Sequence, residues 1–257
     1  MLNQIGFTQR RKGGAKAQRE ISSLRLCASF ASLRETKHRD CISLILMLAI
    51  FNTSFAQRQA REEPRHKNVF ENKWVRILDV HIKPGDTTLF HRHSTPSVIV
   101  ILTDTKLGTQ LQGSEPVISQ THAGSISYAS YGEKPIFHHV WNDDTAMFHV
   151  MDIELLGKRE GSGGAAEVAQ DFEPVWQEKM VNSYSISLKE NENSTKVAGA
   201  HPVLLINISG TTLVQAGTKE RISLSKAGQF TWIEPGMVLQ ISNQSKGGSR
   251  LVSMELK

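Results

Sequence analysis

Alternation of apolar and polar residues dominates the middle and end of the chain and predicts strands rather than helices. Residues 75–82 are expected to form one strand, a turn follows at Pro84 and Gly85, and residues 87–93 form the next strand. The β-branched run 97–102 is typical of a buried strand, and residues 136–142 form another. Helical periodicity is scarce, so an all-β fold is expected.

Two of these predicted strands carry histidines. Side chains alternate between the two faces of a strand, so His91 and His93 share one face while Arg92 points the other way. On residues 136–142 only one of the adjacent His138 and His139 can face the same cavity. His138 is preferred, and His139 would replace it if the strand register shifted by one residue. Three imidazoles on one ion leave its other positions open, as a catalytic or ligand-binding metal requires.

The spacing of these residues resembles the two motifs of the cupin superfamily. The first motif, G-x5-H-x-H, is met by Gly85, His91 and His93, and the H-x3-N of the second motif is met by His138 and Asn142. The resemblance implies a jelly-roll barrel, also called a double-stranded β-helix, that holds a metal ion through His91, His93 and His138.

Two departures from the cupin pattern affect the expected site. The family places a glutamate ligand after its second histidine with three or four residues between them, where this chain has Ser97 or Val98, and the gap from Gly132 to His138 is three residues longer than in the family. In lacking the glutamate the chain resembles cupin thiol and diketone dioxygenases, which hold ferrous iron with three histidines. The cofactor expected from this resemblance is a divalent metal, with Fe(II) favoured and Mn, Ni or Zn also suited to imidazole ligands.

The second half of the chain repeats the first without its histidines. Gly228, Gly236 and Asn243 reproduce the second cupin spacing, and Leu239 stands where the metal-binding histidine would be. The repeat period is 228 − 124 = 104 residues at the first glycine of the motif and 243 − 142 = 101 residues at its asparagine. The chain is therefore identified as a bicupin, with two cupin-type barrels in tandem and a degenerate second copy.

The N-terminal part reads as an export signal. An apolar stretch at 41–51, too short to cross a bilayer, follows a basic segment, and the small residues Ser54 and Ala56 predict cleavage after Ala56. A membrane anchor and a buried helix are the alternatives. Cleavage leaves a protein of periplasmic or secreted location, with no stable membrane insertion.

Removal of residues 1–56 changes the charge of the chain. It leaves 30 − 9 = 21 Lys and Arg against 25 − 3 = 22 Asp and Glu, so the basic character belongs to the leader and gives no reason to expect nucleic acid as a partner. Both cysteines, Cys27 and Cys41, also lie in the leader, so no disulfide is expected in the mature protein.

The expected organisation has five parts. They are a basic leader with signal peptide (1–56), a mobile charged arm (57–68), a first cupin barrel with the metal site (69–156), a flexible linker (157–170) and a second, degenerate barrel (171–257). Residues 171–180 are expected to form a short helix or a crossing strand. Tyr128 is a candidate hydrogen-bond donor near the site, although packing in the barrel is the commoner role of a buried tyrosine.

Two classes of function follow from the sequence. The first is an exported metalloenzyme, an oxygen-using oxidoreductase of dioxygenase type that acts on a small molecule. The second is a non-catalytic cupin that binds or senses a small ligand and keeps only a vestigial metal site. A homodimer is compatible with either class. The absence of an evident general base near the motifs weighs against a hydrolase or an isomerase.

Overall fold

The computed structural model describes residues 57–157 and 171–257. The first range contains a short 3-10 helix, Ala60–Glu62, and nine strands. These strands are β1 (His66–Glu71), β2 (Val75–Ile82), β3 (His91–His93), β4 (Ser97–Ile101), β5 (Thr105–Leu111), β6 (Val117–Thr121), β7 (Ile126–Ala129), β8 (Ile136–Asn142) and β9 (Phe148–Leu155).

The second range contains nine further strands. They are β10 (Phe172–Gln177), β11 (Val181–Leu188), β12 (Asn193–Val197), β13 (Val203–Ser209), β14 (Thr212–Ala216), β15 (Ile222–Leu224), β16 (Phe230–Ile233), β17 (Val238–Asn243) and β18 (Ser249–Leu256). Among the described residues, no helix is both long enough and apolar enough to cross a membrane.

Four antiparallel sheets form from these strands, and each sheet takes its strands from one half of the chain. The first half builds β1-β2-β9-β4-β7 and β3-β8-β5-β6, and the second half builds β10-β11-β18-β13-β16 and β12-β17-β14-β15 in the same order. Two facing antiparallel sheets with these crossovers form a jelly roll. The predicted all-β fold of two cupin-type jelly-roll barrels is confirmed.

The registers of equivalent strand pairs correspond in the two barrels. Val75 pairs with Leu155 between β2 and β9, and Val181 pairs with Leu256 between the equivalent β11 and β18. The first strand of each barrel also carries a register shift at the same place, between Asn68 and Phe70 in β1 and between Pro174 and Trp176 in β10. These registers make it possible to assign equivalent positions directly.

The apolar cores explain how the barrels are held. The described residues of both halves, 57–157 and 171–257, belong to one compact unit. One core of buried side chains joins the five-stranded sheets of both barrels, and we call this contact the seam. Its members are Val75, Ile77, Val98, Val100, Leu102, Met151, Ile153, Leu155, Val181, Leu204, Ile206, Ile208, Val252, Met254 and Leu256. A second core fills the second barrel, and a smaller one lines the first. Burial of apolar side chains at the seam makes the two barrels one body.

The segment 57–68, for which the sequence predicted a mobile charged arm, has defined structure. It contains the 3-10 helix and the start of β1, and Ala60, Glu63 and His66 are all buried. Arg65 holds this segment to the turn before β3, because its guanidinium lies 2.6 Å from Asp86 Oδ1 and 3.3 Å from Glu63 Oε1. Ion pairing between an arm and a turn is a tertiary feature that no local pattern reveals.

Other local predictions differ in detail. The strand expected at 87–93 is regular only at His91–His93, with Thr87 making a single bridge to Trp141. The backbone just before β3 contacts Glu63, because Glu63 Oε2 accepts a hydrogen bond from the Leu89 amide at 3.1 Å. Of the two alternatives for 171–180, the strand is observed, as β10. The leader and most of the linker lie outside the described residues.

Candidate metal centre

Strands β3 and β8 bring the three predicted histidines together. His91 pairs directly with His138 across the two strands, and His93 follows His91 on the same face. One ligand nitrogen from each of the three rings lies within 4.8 Å of the others. His91 is fully buried, and His93 and His138 are 5% and 9% exposed. The cluster therefore lies inside the first barrel.

His91 is oriented by the backbone. Its Nδ1 lies 2.8 Å from the Leu89 carbonyl oxygen, so Nδ1 carries the proton and donates, and Nε2 presents a lone pair. The Nε2 atoms of His91 and His93 are 3.0 Å apart. Two nitrogen ligands about 2.1 Å from one ion and at a right angle to each other would be about 3.0 Å apart. Without metal, one of these Nε2 atoms can donate a hydrogen bond to the other at the same 3.0 Å. The two rings therefore already stand at the separation that a shared metal ion requires.

His138 completes the cluster with two unused nitrogens. Neither Nδ1 nor Nε2 of this buried ring has a hydrogen-bond partner. Burial is the main cause that lowers the pKa of His138 to about 2 and that of His91 to about 4, and repulsion from the neighbouring imidazoles adds to it. Both rings are therefore neutral at neutral pH, the state in which imidazole binds a metal.

His139 lies on the opposite face of β8. Its Nε2 is 3.0 Å from Gln110 Oε1, and its Nδ1 is 3.3 Å from the Thr87 hydroxyl. The register shift that would exchange His138 and His139 does not occur in β8, which pairs continuously with β5 from Leu107 to Leu111.

Asp152 on β9 supplies a carboxylate that the sequence motifs did not indicate. It is 3% exposed, and its Oδ2 lies 3.3 Å from His93 Nδ1 without the geometry of a hydrogen bond. If His93 turns its Nε2 lone pair to a metal, its proton is on Nδ1 and faces this carboxylate, the arrangement that orients metal-bound histidines. A buried carboxylate with no hydrogen-bond partner also calls for a nearby positive charge. The residues present thus fit a divalent cation.

His66 and Tyr131 are two further residues that sequence reasoning missed. The His66 ring lies 4.7 Å from the His91 ring, and burial is the main cause that lowers its pKa to about 3. The Tyr131 ring lies 5.0 Å from that of His93. Burial raises the pKa of the Tyr131 phenol to about 12, so it keeps its proton and can donate a hydrogen bond at neutral pH.

The remaining wall of the site is apolar. A cavity of about 150 Å³ opens beside the histidines. Its polar lining is His66, Thr88, His91, His93, Thr109, Tyr131, His138 and Asp152, and its apolar lining is Val80, Ile82, Ile99, Ile101, Leu107, Val140, Phe148 and Val150. An apolar cavity of about this size holds a molecule as large as benzene.

Three residues singled out in the sequence lie elsewhere. Tyr128 packs at the seam with its ring 6.0 Å from that of Trp176, so it does not reach the cavity. Asn142 ties a turn, because its Nδ2 donates to the carbonyl oxygens of Ile82 and Ala146 at 2.8 and 2.7 Å. Ser97, at the glutamate position of the family motif, is buried and donates to the Thr95 carbonyl oxygen.

Comparison with known proteins supports the fold at low sequence identity. No protein-family model matches the chain, and a search of curated proteins finds no match. Among solved structures, YhhW from Escherichia coli is similar with 17% identity, a TM-score of 0.53 and coverage of 78% of this chain and 88% of that one. YhhW also appears as a bacterial pirin in complex with nickel(II).

A second similar structure is salicylate 1,2-dioxygenase from Pseudaminobacter salicylatoxidans. It is 12% identical with a TM-score of 0.53, over 83% of this chain and 82% of that one. These neighbours are cupin proteins, which confirms the resemblance read from the motifs as far as the fold. The chain thus has the fold of the cupin superfamily, and its first barrel contains a three-histidine cluster suited to a divalent metal.

Proposed function

We propose that the protein is a metal-dependent oxidoreductase of dioxygenase type, which holds Fe(II) or a related divalent ion through His91, His93 and His138. The observation that supports this most strongly is the association of three buried imidazoles with the buried carboxylate of Asp152, which has no hydrogen-bond partner. When bound, the ion would polarise an anionic substrate group or dioxygen. The nickel-bound and dioxygenase neighbours are in keeping with such a site.

The cavity indicates the class of substrate. Its volume of about 150 Å³ and its apolar lining suit a single ring or a short branched chain. Oxygen donors on one end of such a molecule would face the histidines, and the Tyr131 hydroxyl would donate a hydrogen bond to that end. The apolar wall, which includes Val80, Ile99 and Phe148, would exclude water from the apolar end.

Metal analysis and oxygen uptake together test this function. The purified protein is incubated with Fe(II), Mn(II), Ni(II) or Zn(II), and its bound metal is compared with that of a His91→Ala/His93→Ala variant. His139→Ala, which removes the neighbouring histidine of the outer face, is the matched control. We expect the wild type and the control to hold metal in the cavity and the double variant to lose it. Equal metal in the double variant would contradict the proposal.

Oxygen uptake then separates an enzyme from a binding protein. The iron-loaded protein is supplied with phenolic acids, diketones or thiols that fit the cavity, and oxygen consumption is recorded with an electrode. Uptake that depends on both metal and substrate supports the dioxygenase function. Binding of metal and ligand without uptake would instead support the non-catalytic ligand-binding function.

We further propose that the protein acts outside the cytoplasm, in the periplasm or after secretion, and that its partner is a small molecule and not nucleic acid. The support is the apolar stretch 41–51 before Ala56 and the near-neutral charge of the remaining chain. N-terminal sequencing of the protein from the exported fraction should begin at Gln57. An unprocessed chain recovered only from the cytoplasm would contradict this proposal.

A further inference from the structure

A second cluster of metal-ligating side chains lies on the other face of the first barrel's larger sheet. Asp79 and His81 are two residues apart on β2, so they share one face, and His149 on β9 pairs directly with His81. The cavity site has the same construction, because His91 and His93 are two apart on β3 and His138 pairs directly with His91. The outer cluster therefore repeats the arrangement of the inner one, with a carboxylate in place of one imidazole.

The distances within this outer cluster are short. One ligand atom from each residue lies within 4.8 Å of the others. His149 Nε2 is 2.7 Å from Asp79 Oδ1, and His81 Nδ1 is 3.7 Å from the same oxygen. The two imidazole rings stack with centroids 3.9 Å apart and planes inclined by 23°. Small movements of two side chains would bring three donors onto one ion.

The cluster stands at the edge of the seam. Along β2 and β9 the residues facing the second barrel are apolar at one end, with Ile77 and Ile153 buried in the seam core, and become polar at Asp79, His81 and His149. A Cβ added at Gly228 of the second barrel would lie 3.0 Å from His149 Cε1, so the two barrels touch here. A groove of about 340 Å³, lined by Asp79 and by residues of the second barrel, leads to this place.

The equivalent place on the second barrel has different chemistry. The strand registers match Asp79, His81 and His149 to Ser185, Ser187 and Arg250. The glycine contact is kept, since Gly124 of the first barrel packs against the Arg250 guanidinium as Gly228 packs against His149. The second barrel thus places the positive charge of Arg250 against Gly124 of the first barrel. At the equivalent place, the first barrel has a carboxylate and two imidazoles near Gly228.

The hydrogen bond between Asp79 and His149 explains only part of this cluster. It leaves His81, whose side chain is 46% exposed, stacked on His149 rather than extended into solvent. Lys67 lies opposite Asp79 on β1, but among the described residues it forms no ion pair with that carboxylate. One carboxylate and two imidazoles with open positions form a known ligand set for first-row divalent ions.

We propose that Asp79, His81 and His149 form a second metal site, which takes a first-row divalent transition ion such as Zn(II), Ni(II) or Cu(II) at the boundary between the barrels. The site is independent of the three-histidine cavity, from which β2 and β9 separate it. Binding there would hold the edge of the seam, because His149 is the residue on which Gly228 packs.

Metal titration of paired variants tests this site. In the full chain carrying His91→Ala/His93→Ala, only the outer site remains, and equilibrium dialysis against Zn(II) should find one bound ion per chain. Addition of His81→Ala should weaken that binding at least tenfold. The exposed pair of His122 and Asp104, 3.7 Å apart, has no third ligand within 57–157 and 171–257, so His122→Ala on the same background is the matched control and should leave the binding unchanged. Cu(II) bound at the outer site should show nitrogen hyperfine splitting that His81→Ala reduces.

The outcomes separate this inference from the proposed function. Binding that survives His81→Ala, or that His122→Ala weakens equally, means an adventitious ion only and overturns the outer site. Because nearly half of the His81 side chain is exposed, its variant should melt close to the wild-type temperature without metal. On the otherwise wild-type chain, both proposals stand if the His81→Ala variant keeps metal in the cavity and loses it from the outer site. Metal absent from the cavity alone contradicts only the proposed function.

Discussion

Where the first barrel carries its histidines, the second carries unrelated residues at matching positions. His91 pairs with His138 in β3 and β8, and Lys196 pairs with Leu239 in the equivalent β12 and β17. The same registers place Ala198 at the position of His93, Phe172 at that of His66 and Ser253 at that of Asp152. Not one of the metal-ligating groups of the first barrel is kept in the second.

The replacements turn a lined cavity into a packed core. Phe172, Ala198 and Leu239 are nearly or fully buried and belong to the core that fills the second barrel. Lys196, which is 2% exposed, has its Nζ 4.4 Å from the Tyr184 ring and 4.9 Å from the Phe172 ring. The strand order and registers are the same whether the barrel interior is a cavity lined by histidines or a packed apolar core. The fold and the site can therefore vary separately.

The largest effect expected from this contrast is on stability. Leu239→Ala should lower the free energy of unfolding by about 3 kcal/mol, because the removed side chain leaves a cavity in a close-packed core. The equivalent His138→Ala should cost less than about 1 kcal/mol without metal, since that imidazole borders an existing cavity and has no hydrogen-bond partner. Urea unfolding in the presence of a chelator measures both. Equal losses would show that the two barrels are packed alike.

The contrast also explains which features could be predicted from the sequence. Leu239 was placed at the ligand position by motif spacing alone, and the strand register agrees. His91, His93 and His138 were likewise predicted to converge, because strand alternation and the glycine turns are local. The structure places all three inside one barrel.

Residues brought in by distant strands could not be predicted in this way. Asp152 comes from β9 and His66 from the start of β1, and neither lies in a motif. For Asp152 one signal existed, a carboxylate between the apolar residues Met151 and Ile153 of a buried strand, which is costly unless it has a partner. His66 stands in a charged segment that reads as an arm, yet it is buried and lines the cavity.

The next effect concerns the carboxylate that only the first barrel has. Asp152→Asn should weaken metal binding by about 10- to 100-fold, because His93 loses the charged acceptor that orients it. Without metal the same variant should melt at a higher temperature, since a buried carboxylate without a hydrogen-bond partner is replaced by a neutral amide. Ser253→Ala at the equivalent position of the second barrel is the control and should leave metal affinity unchanged. Unaltered affinity in Asp152→Asn would mean that the carboxylate does not serve the site.

The smallest effect is a pH dependence that belongs to the second barrel. Burial lowers the pKa of Lys196 below its ordinary value of 10.5, while Glu255 opposes the change. Between the lowered pKa and 10.5 the unfolded chain binds more protons than the folded one, so stability rises with pH across that window. Lys196→Met should remove this rise and add about 1 kcal/mol of stability at neutral pH.

The comparison of wild type and Lys196→Met isolates this contribution from other titrating groups. Burial raises the pKa of Tyr184, so the phenol beside Lys196 keeps its proton from about pH 7 to about pH 9.5, the range in which urea unfolding is followed. Over that range the stability difference between the two proteins should shrink as Lys196 loses its proton. A stability difference that stays constant over this range would mean that Lys196 keeps its charge beside Tyr184, Phe172 and Glu255. The second barrel would then hold a buried cationic side chain at the place where the first barrel has residues suited to bind a metal cation.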